Sequence, residues 1–258
     1  MGTPRNQSVK KAFALLHAFH GPDEWVTNAE LSRRTNLSEA AAHRLMRTLE
    51  EMGVVLRNPR GCYRPGVVLA CLSKNVAIGD LVNVTSQDIL DELAHRLRVI
   101  VHIGVLENGM VAYRAKIGDP ASVPVGSRVG AQLEAYCSAI GKVLLAALPE
   151  ERLEDYLYDG RFVALTPQTI TDADRLRSEI AMVRERGYAV DNREVFPDIC
   201  CVGVPIRDPN GNTIAAISVA DKAVHMGYLR QDEMYDALST AAVMIRHRIF
   251  PSYRPHHV

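Results

Sequence analysis

Residues 27–53 read TNAELSRRTNLSEAAAHRLMRTLEEMG, and the fold of this stretch decides the organisation of the N-terminal part of the chain. Thr27 and Glu30 have capping-box spacing, which predicts a helix start. Leu31 and Leu37 flank the polar turn Arg34-Thr35-Asn36, where Asn36 can take the left-handed conformation that a tight turn often demands. Ser38 is a good N-cap for the next helix. Within that helix Ala42, Leu45, Met46, Leu49 and Met52 recur at +3, +4, +7 and +10, one apolar face at helical period. His43, Arg44, Arg47 and Thr48 project elsewhere, and Gly53 supplies a C-terminal stop. Two short helices, a tight turn and basic outer residues on the second helix predict a helix-turn-helix.

The flanking residues extend this reading. Val54-Val55-Leu56-Arg57 is a β-branched, apolar strand, Asn58-Pro59-Arg60-Gly61 a turn, and Cys62-Tyr63-Arg64 a returning strand. A helix followed by a basic hairpin is the order of a winged helix, which points to double-stranded DNA as partner. The candidate DNA-contacting residues are Ser38, His43, Arg44, Arg47 and, at the wing tip, Arg60. The alternative is a helical core whose arginines serve only its surface, with the head docking a protein rather than DNA. Upstream, Val9, Ala12, Phe13, Leu16 and Phe19 mark an amphipathic first helix ending near Gly21-Pro22.

The chain has 258 residues, 47% of them apolar, which suits two globular domains and excludes a disordered or fibrous protein. Net charge is zero, yet residues 1–66 hold ten Lys/Arg against six Asp/Glu, so a basic head sits on an acidic body. The five cysteines (62, 71, 137, 200, 201) lack CxxC spacing, so neither a metal site nor a disulfide framework is expected, and a reducing cytoplasm is the expected location. His256-His257 belongs to an expected frayed tail. The opening MGTPRNQSVKK has no apolar signal core, and no run approaches the ~20 apolar residues of a membrane span. No cofactor is expected.

Pro65-Gly66 closes the wing. Residues 67–77, VVLACLSKNVA, predict an apolar-rich linker helix ended by Gly79; an exposed helix that apolar should bury against another subunit or the next domain. The expected divisions are thus 1–66 for the winged helix-turn-helix, 67–79 for the linker helix and 80–258 for the second domain. There, Leu90, Leu93, Ala94 and Leu97 mark a helix; residues 99–106 and 110–115 form a hairpin about Asn108-Gly109. Residues 116–137 read as irregular. Ser138 caps a helix carrying Ile140, Val143, Leu144 and Ala147 and stopped by Pro149, and a further helix spans roughly 172–186. A second hairpin joins 201–206 to 213–219, and Met234, Leu238, Ala241 and Ile245 mark a closing helix. Strand pairs separated by helices predict an α+β domain with an antiparallel sheet.

At this point the chain resembles the IclR family of bacterial transcriptional regulators. The resemblance rests on ELSRRTNLSEAAAHRLMRTLEEMGVV and GCYRPG in the head. In the body it rests on AIGKVLLA at 139–146, RGYAVD at 186–191, CVGVP at 201–205 and AAIS at 215–218, in the family's order. It implies a winged-helix domain, a linker helix and a GAF-like effector-binding domain for a small metabolite. It also implies a homodimer or homotetramer controlling neighbouring catabolic genes. This sequence departs from the pattern where Glu39-Ala40-Ala41 replaces Lys-Ser-Thr, which moves base and phosphate contacts onto His43, Arg44 and Arg47. It departs again at Glu134-Ala-Tyr136, which replaces Pro-Leu-His, and at 130–133, which looks like an insertion.

For the small molecule, the helix start after Ser138 offers the backbone N–H groups of Ala139, Ile140 and Gly141 to a carboxylate. By the residue-wise match Asp191, Cys201 and Ser218 face the ligand, and Tyr136 can stack on an aromatic ring. Each has a plainer reading: an ordinary capped helix with Gly141 for close packing, a turn carboxylate, a core thiol, a strand hydroxyl. A small organic acid, aromatic or hydroxylated, is the expected effector. Catalysis is not expected: Gly141-Lys142 lacks the rest of a phosphate-binding loop, GxSxG and HExxH are absent, and His102 reads as a core residue. A second reading is a metabolite-sensing GAF-like module acting through a protein partner instead of DNA.

Overall fold

A computed structural model of the chain describes residues 6–251 apart from 22, 23, 75, 120, 122 and 124. It contains two compact units, the first ending at Ala77 and the second beginning at Ile78. Pro22 and the histidine pair at 256–257 lie outside the described residues.

The head holds α1 (Gln7–His17), α2 (Asn28–Thr35) and α3 (Glu39–Glu51), then β1 (Val55–Arg57), β2 (Tyr63–Pro65) and α4 (Val67–Ser73). The local chemistry follows the capping rules. The Thr27 hydroxyl accepts from the Glu30 amide at 3.2 Å. The Glu30 side chain does not complete the reciprocal box, because it binds Arg33 and Arg34 instead. Asn36 turns the chain at φ 52° and Ser38 caps α3 by accepting from the Ala41 amide at 3.3 Å. β1 and β2 pair antiparallel, Val55 opposite Pro65, and Val26 bridges Tyr63 to widen the wing. Leu15, Val26, Leu31, Ala42, Met46, Leu49 and Tyr63 form the head's core.

Three expectations about the head are corrected. α1 ends at His17; Leu15 is its buried residue, with Ala12, Leu16 and, beyond its end, Phe19 packed against the same core as expected, while Val9 and Phe13 stand exposed, because α1 is apolar on more than one side. Met52 is an exposed C-cap, not the last member of the α3 core face. The linker helix stops at Ser73, and Gly79 lies in the first turn of a new helix, where its missing Cβ leaves room for the Arg114 side chain.

The second unit contains α5 (Ile78–Leu97), β3 (Ile100–Glu107), β4 (Met110–Ile117), β5 (Gln132–Glu134), α6 (Ala139–Ala146), α7 (Glu150–Asp159) and α8 (Ala173–Arg186). β6 (Ala189–Asn192), β7 (Ile199–Arg207), β8 (Thr213–Lys222) and α9 (Tyr228–Ile249) complete it. The sheet runs β5-β4-β3-β8-β7-β6 and every pairing is antiparallel, as the alternation of hairpins and helices predicts. Asn108 and Gly109 both take positive φ, 51° and 78°, in the hairpin turn read from the sequence. The stretch 116–137 is not wholly irregular, since 132–134 forms edge strand β5 on β4. Two elements the sequence left unassigned are α7, which starts directly after Pro149, and β6.

Strand alternation sorts the sheet into two faces. Val101, Ile103, Val202, Val204, Ile206, Ala215, Ile217 and Val219 pack against α5 and α9. The other face is built from small residues, Gly104, Gly203 and Ala216 among them, and is covered by α6 with α7 and α8 behind it. Its close fit is set by missing side chains. A Cβ on Gly203 would lie 3.1 Å from the backbone of Ala139, and one on Gly141 only 2.1 Å from the Ala135 carbonyl oxygen. Gly141→Ala should therefore push α6 off its seat and cost about 1–3 kcal/mol, read as a lower urea midpoint at unchanged slope.

Candidate functional site

In the head, α3 presents an uninterrupted exposed stripe. Ala42, Met46 and Leu49 face the core, which leaves Ala40, His43, Arg44, Arg47 and Thr48 outside. The Arg44 guanidinium makes no ion pair or hydrogen bond with any described residue, and Arg47 is held only loosely, 3.9 Å from Glu51. Arg33 and Arg34 are committed instead: Arg34 binds Glu24, Glu30 and the Ala18 carbonyl, each at 2.8 Å. Hydrogen bonds from Arg34 and Arg33 hold the Glu24 and Glu30 carboxyls down to about 2. The Ser38 hydroxyl is occupied as a cap acceptor and retains only its proton for a further partner.

The wing tip is organised by Asn58, whose side-chain oxygen accepts from the amides of Arg60 and Cys62, each at 3.0 Å, and leaves the Arg60 side chain exposed. Two further wing cations were read from the sequence only as strand residues of the basic hairpin, without an assigned contact. Arg57 lies over the Tyr63 ring at 5.7 Å, and Arg64 over Trp25 at 5.5 Å. Alternation along β1 and β2 was the available signal.

In the body, the start of α6 lies on the small-residue face of the sheet. The Ser138 hydroxyl donates to the Glu134 carbonyl at 3.2 Å and accepts from the Gly141 amide at 3.1 Å. Gly141 thus has its N–H satisfied and serves close packing; the amides of Ala139 and Ile140 remain without an acceptor among the described residues. Tyr136 is also reassigned: it is 1% exposed, its hydroxyl binds the Val163 backbone at 2.8 and 3.0 Å, and its ring packs on Phe162. It is a core residue and offers no free ring face.

Register brings the remaining residues together. Asp191 lies opposite Cys201, Cys201 opposite Ala220, and Gly203, the residue against Ala139, opposite Ser218. Ser218 in turn lies opposite His102 on β3. Ser218 is 4% exposed, and its hydroxyl makes no hydrogen bond with any described residue. His102 binds the Ser127 hydroxyl through Nε2 at 2.7 Å, and burial lowers its pKa to about 3, so the ring stays neutral. The Tyr113 ring, 5.0 Å from His102, is a site neighbour that sequence reasoning missed; burial first, then the neighbouring Cys201, Asp191 and Cys137, push its hydroxyl above the ordinary range.

Asp191 accepts from the Glu194 amide at 2.7 Å, and burial raises its pKa to about 7. Burial and the Asp191 charge push the Cys201 thiol well above its ordinary range, and burial takes Cys137 to about 12, so neither is a nucleophile at neutral pH. Beneath them Lys142, 1% exposed, binds Glu194 and the Val190 carbonyl. A surface depression lined by Ile170, Asp174, Arg175, Ser178, Glu179 and Met182 includes none of the expected effector residues. Among the described residues no side-chain group is placed to hold a metal ion, and no single helix is long and apolar enough to cross a membrane.

A winged helix-turn-helix head followed in the chain by an α+β domain is the architecture of a transcriptional regulator of the helix-turn-helix class. Residues 8–59 match the IclR helix-turn-helix domain and residues 77–247 the bacterial transcriptional regulator IclR C-terminal domain, and the chain belongs to the IclR family. It is 32% identical to the HTH-type transcriptional regulator XynR of Escherichia coli, over 84% of this chain and 86% of that one. It is 30% identical to the HTH-type transcriptional regulator KdgR of the same organism, over 91% and 89%. Among solved structures, the Thermotoga maritima IclR is 33% identical over 94% of this chain and 98% of that one, with a TM-score of 0.62. An IclR homolog from Microbacterium hydrocarbonoxydans complexed with 4-hydroxybenzoate shares the fold at a TM-score of 0.63 and 24% identity, covering 95% and 100%.

Because Asp191 holds its proton up to about 7 when folded, against 3.8 ordinarily, the native state binds a proton that the unfolded chain has released between those values. Stability should therefore fall as pH rises through that window. Asp191→Asn, which keeps an acceptor for the Glu194 amide, should raise Tm at pH 8 and change it little at pH 4; equal shifts at both would contradict this assignment.

Proposed function

We propose that the chain binds paired operator half-sites as a homo-oligomer and releases or remodels them when a small organic acid occupies the second domain. The carrying observation is the exposed line of Arg44, which is unpaired, and Arg47, held only loosely by Glu51, on a capped helix beside a basic wing. α3 lies in the major groove, with Arg44 and Arg47 toward base edges and His43 beside them. Ser38 and Arg60 take phosphates. α4 has no buried residue and exposes Val67 and Leu72, a face suited to a second copy. Two recognition helices joined there would meet half-sites ~34–36 Å apart. A chromosomal operator places this work in the cytoplasm.

For DNA, sites selected from a random duplex pool and measured by fluorescence anisotropy give the test. Arg44→Ala should weaken the selected site by ~1–3 kcal/mol, about tenfold or more, and relax one base position. Arg60→Ala should weaken all duplexes alike and reduce the salt slope by about 1. A full site should bind far more tightly than a single half-site. Selection of no duplex at all would favour the protein-partner reading.

The effector carboxylate is received by the free amides of Ala139 and Ile140, while Asp191, Cys201 and Ser218 line the wall. An ionised Asp191 repels an acid, so a hydroxylated acid that pairs with it fits best, and aromatic ones are included because a fold relative binds 4-hydroxybenzoate. These acids bound the screen, which is read by thermal shift; a hit at ~100 times its Kd should add about 2.7 kcal/mol. Calorimetry should then show affinity falling as pH rises through about 7, where Asp191 ionises. Ser218→Val should weaken the acid and leave operator affinity unchanged; an unaltered Kd in both Ser218→Val and Asp191→Asn would place the pocket elsewhere.

A further inference from the structure

Beyond the arginines, the exposed line of α3 begins with a residue that has nothing but a methyl group. At about 100° per residue, Ala40, Arg44, Arg47 and Glu51 fall within an arc of about 60°. That arc lies opposite the buried Ala42, Met46 and Leu49. The N-terminal residues of a recognition helix are those that reach base edges. Here that end is Ala40, exposed, with the partly buried Ala41 beside it. Neither side chain can donate or accept a hydrogen bond.

The backbone at this end is largely committed as well. The Ala41 amide goes to the Ser38 hydroxyl at 3.3 Å and the Ala42 amide to the Ser38 carbonyl at 2.9 Å. The Glu39 carbonyl accepts from the Asn28 side chain at 3.0 Å, which ties the first turn of α3 to α2 and fixes where Ala40 points. A methyl in the major groove can discriminate bases only by apolar contact, and the one apolar group on a base edge there is the C5-methyl of thymine.

We propose that Ala40 reads the 5-methyl group of a thymine in each operator half-site. This rests on the reading that α3 occupies the major groove. Ala40 and Arg44 are one turn apart, ~6 Å along the helix. At ~3.4 Å per base pair, the thymine lies about two base pairs from the base that Arg44 contacts. Glu39, also exposed, lies about 100° round the helix from Ala40, off the line that Ala40 and Arg44 share.

The test uses the full chain and a site selected from a random duplex pool. Each thymine is replaced in turn by deoxyuridine, which removes only the methyl. One thymine per half-site should show a loss of about fourfold, the equivalent of ~0.8 kcal/mol for one buried methyl. Replacing that T·A pair by C·G should weaken binding, and 5-methylcytosine at the same place should recover it in part, a check that needs no protein variant. In Ala40→Gly the deoxyuridine penalty should vanish while binding to unselected duplex is retained. The proposal is overturned if no thymine is sensitive to deoxyuridine, if 5-methylcytosine recovers nothing, or if the penalty persists in Ala40→Gly. Failure to select any duplex would instead remove the DNA-binding reading on which it stands.

Discussion

An ammonium group buried at 1% exposure has to be met by opposite charge, and much of the second domain is arranged around meeting that of Lys142. Its partner Glu194 lies 52 residues away, in the turn between β6 and β7. The Val190 carbonyl supplies a second acceptor at 3.0 Å, and Glu179, itself bound to Arg186 at 2.7 Å, stands 3.9 Å off. Thr169 and Thr166 then anchor the Glu194 and Arg193 carbonyls at 2.6 and 2.7 Å, and Arg193 is held at φ 62°. One ion pair thereby joins α6, α8, β6 and the loop before α8. Removing either partner alone would leave an uncompensated buried charge, a loss of ~3–5 kcal/mol.

The same constraint shapes the sensing chemistry. Asp191 is three residues from Glu194 and shares its low-dielectric surroundings, but the Lys142 charge is already taken by Glu194. Asp191 is consequently pushed toward neutrality by burial, with the Glu194 charge adding to the effect. Around it the site offers neutral groups: His102, Tyr113, Ser218 and two thiols. Positive potential comes from the open amides at the start of α6, whose position depends on Gly203 and Gly141 letting that helix down onto the sheet and onto Ala135.

The head follows a different rule. Its charges are sorted by commitment: Arg34 is spent on Glu24, Glu30 and the Ala18 carbonyl, and so fixes α1 against α2. Arg44 and Arg60 are left free. A raw count of basic residues therefore overstates what is available to a phosphate backbone, while the N-cap at Ser38 and the Asn58 turn hold the free groups in place.

Local rules were enough to place much of this protein. Caps at Thr27, Ser38 and Ser138, left-handed turns at Asn36 and Asn108, and apolar periods of 3.6 and 2 depend on residues a few positions apart, so the sequence alone determined the helix-turn-helix, the wing, both hairpins and the α+β class. Tertiary structure decided the rest. Tyr136 looked available and is core, because Val163, 27 residues on, takes its hydroxyl. Gly141 looked like an amide donor and proved a packing residue, because Ala135 crosses its Cα. β5 and β6 are three and four residues long and exist because β4 and β7 offer them edges. His102 and Tyr113 joined the site only through strand register, and Lys142 found Glu194 across 52 residues. Such pairings are set by the free energy of burying groups brought together by the whole fold, which no local pattern encodes.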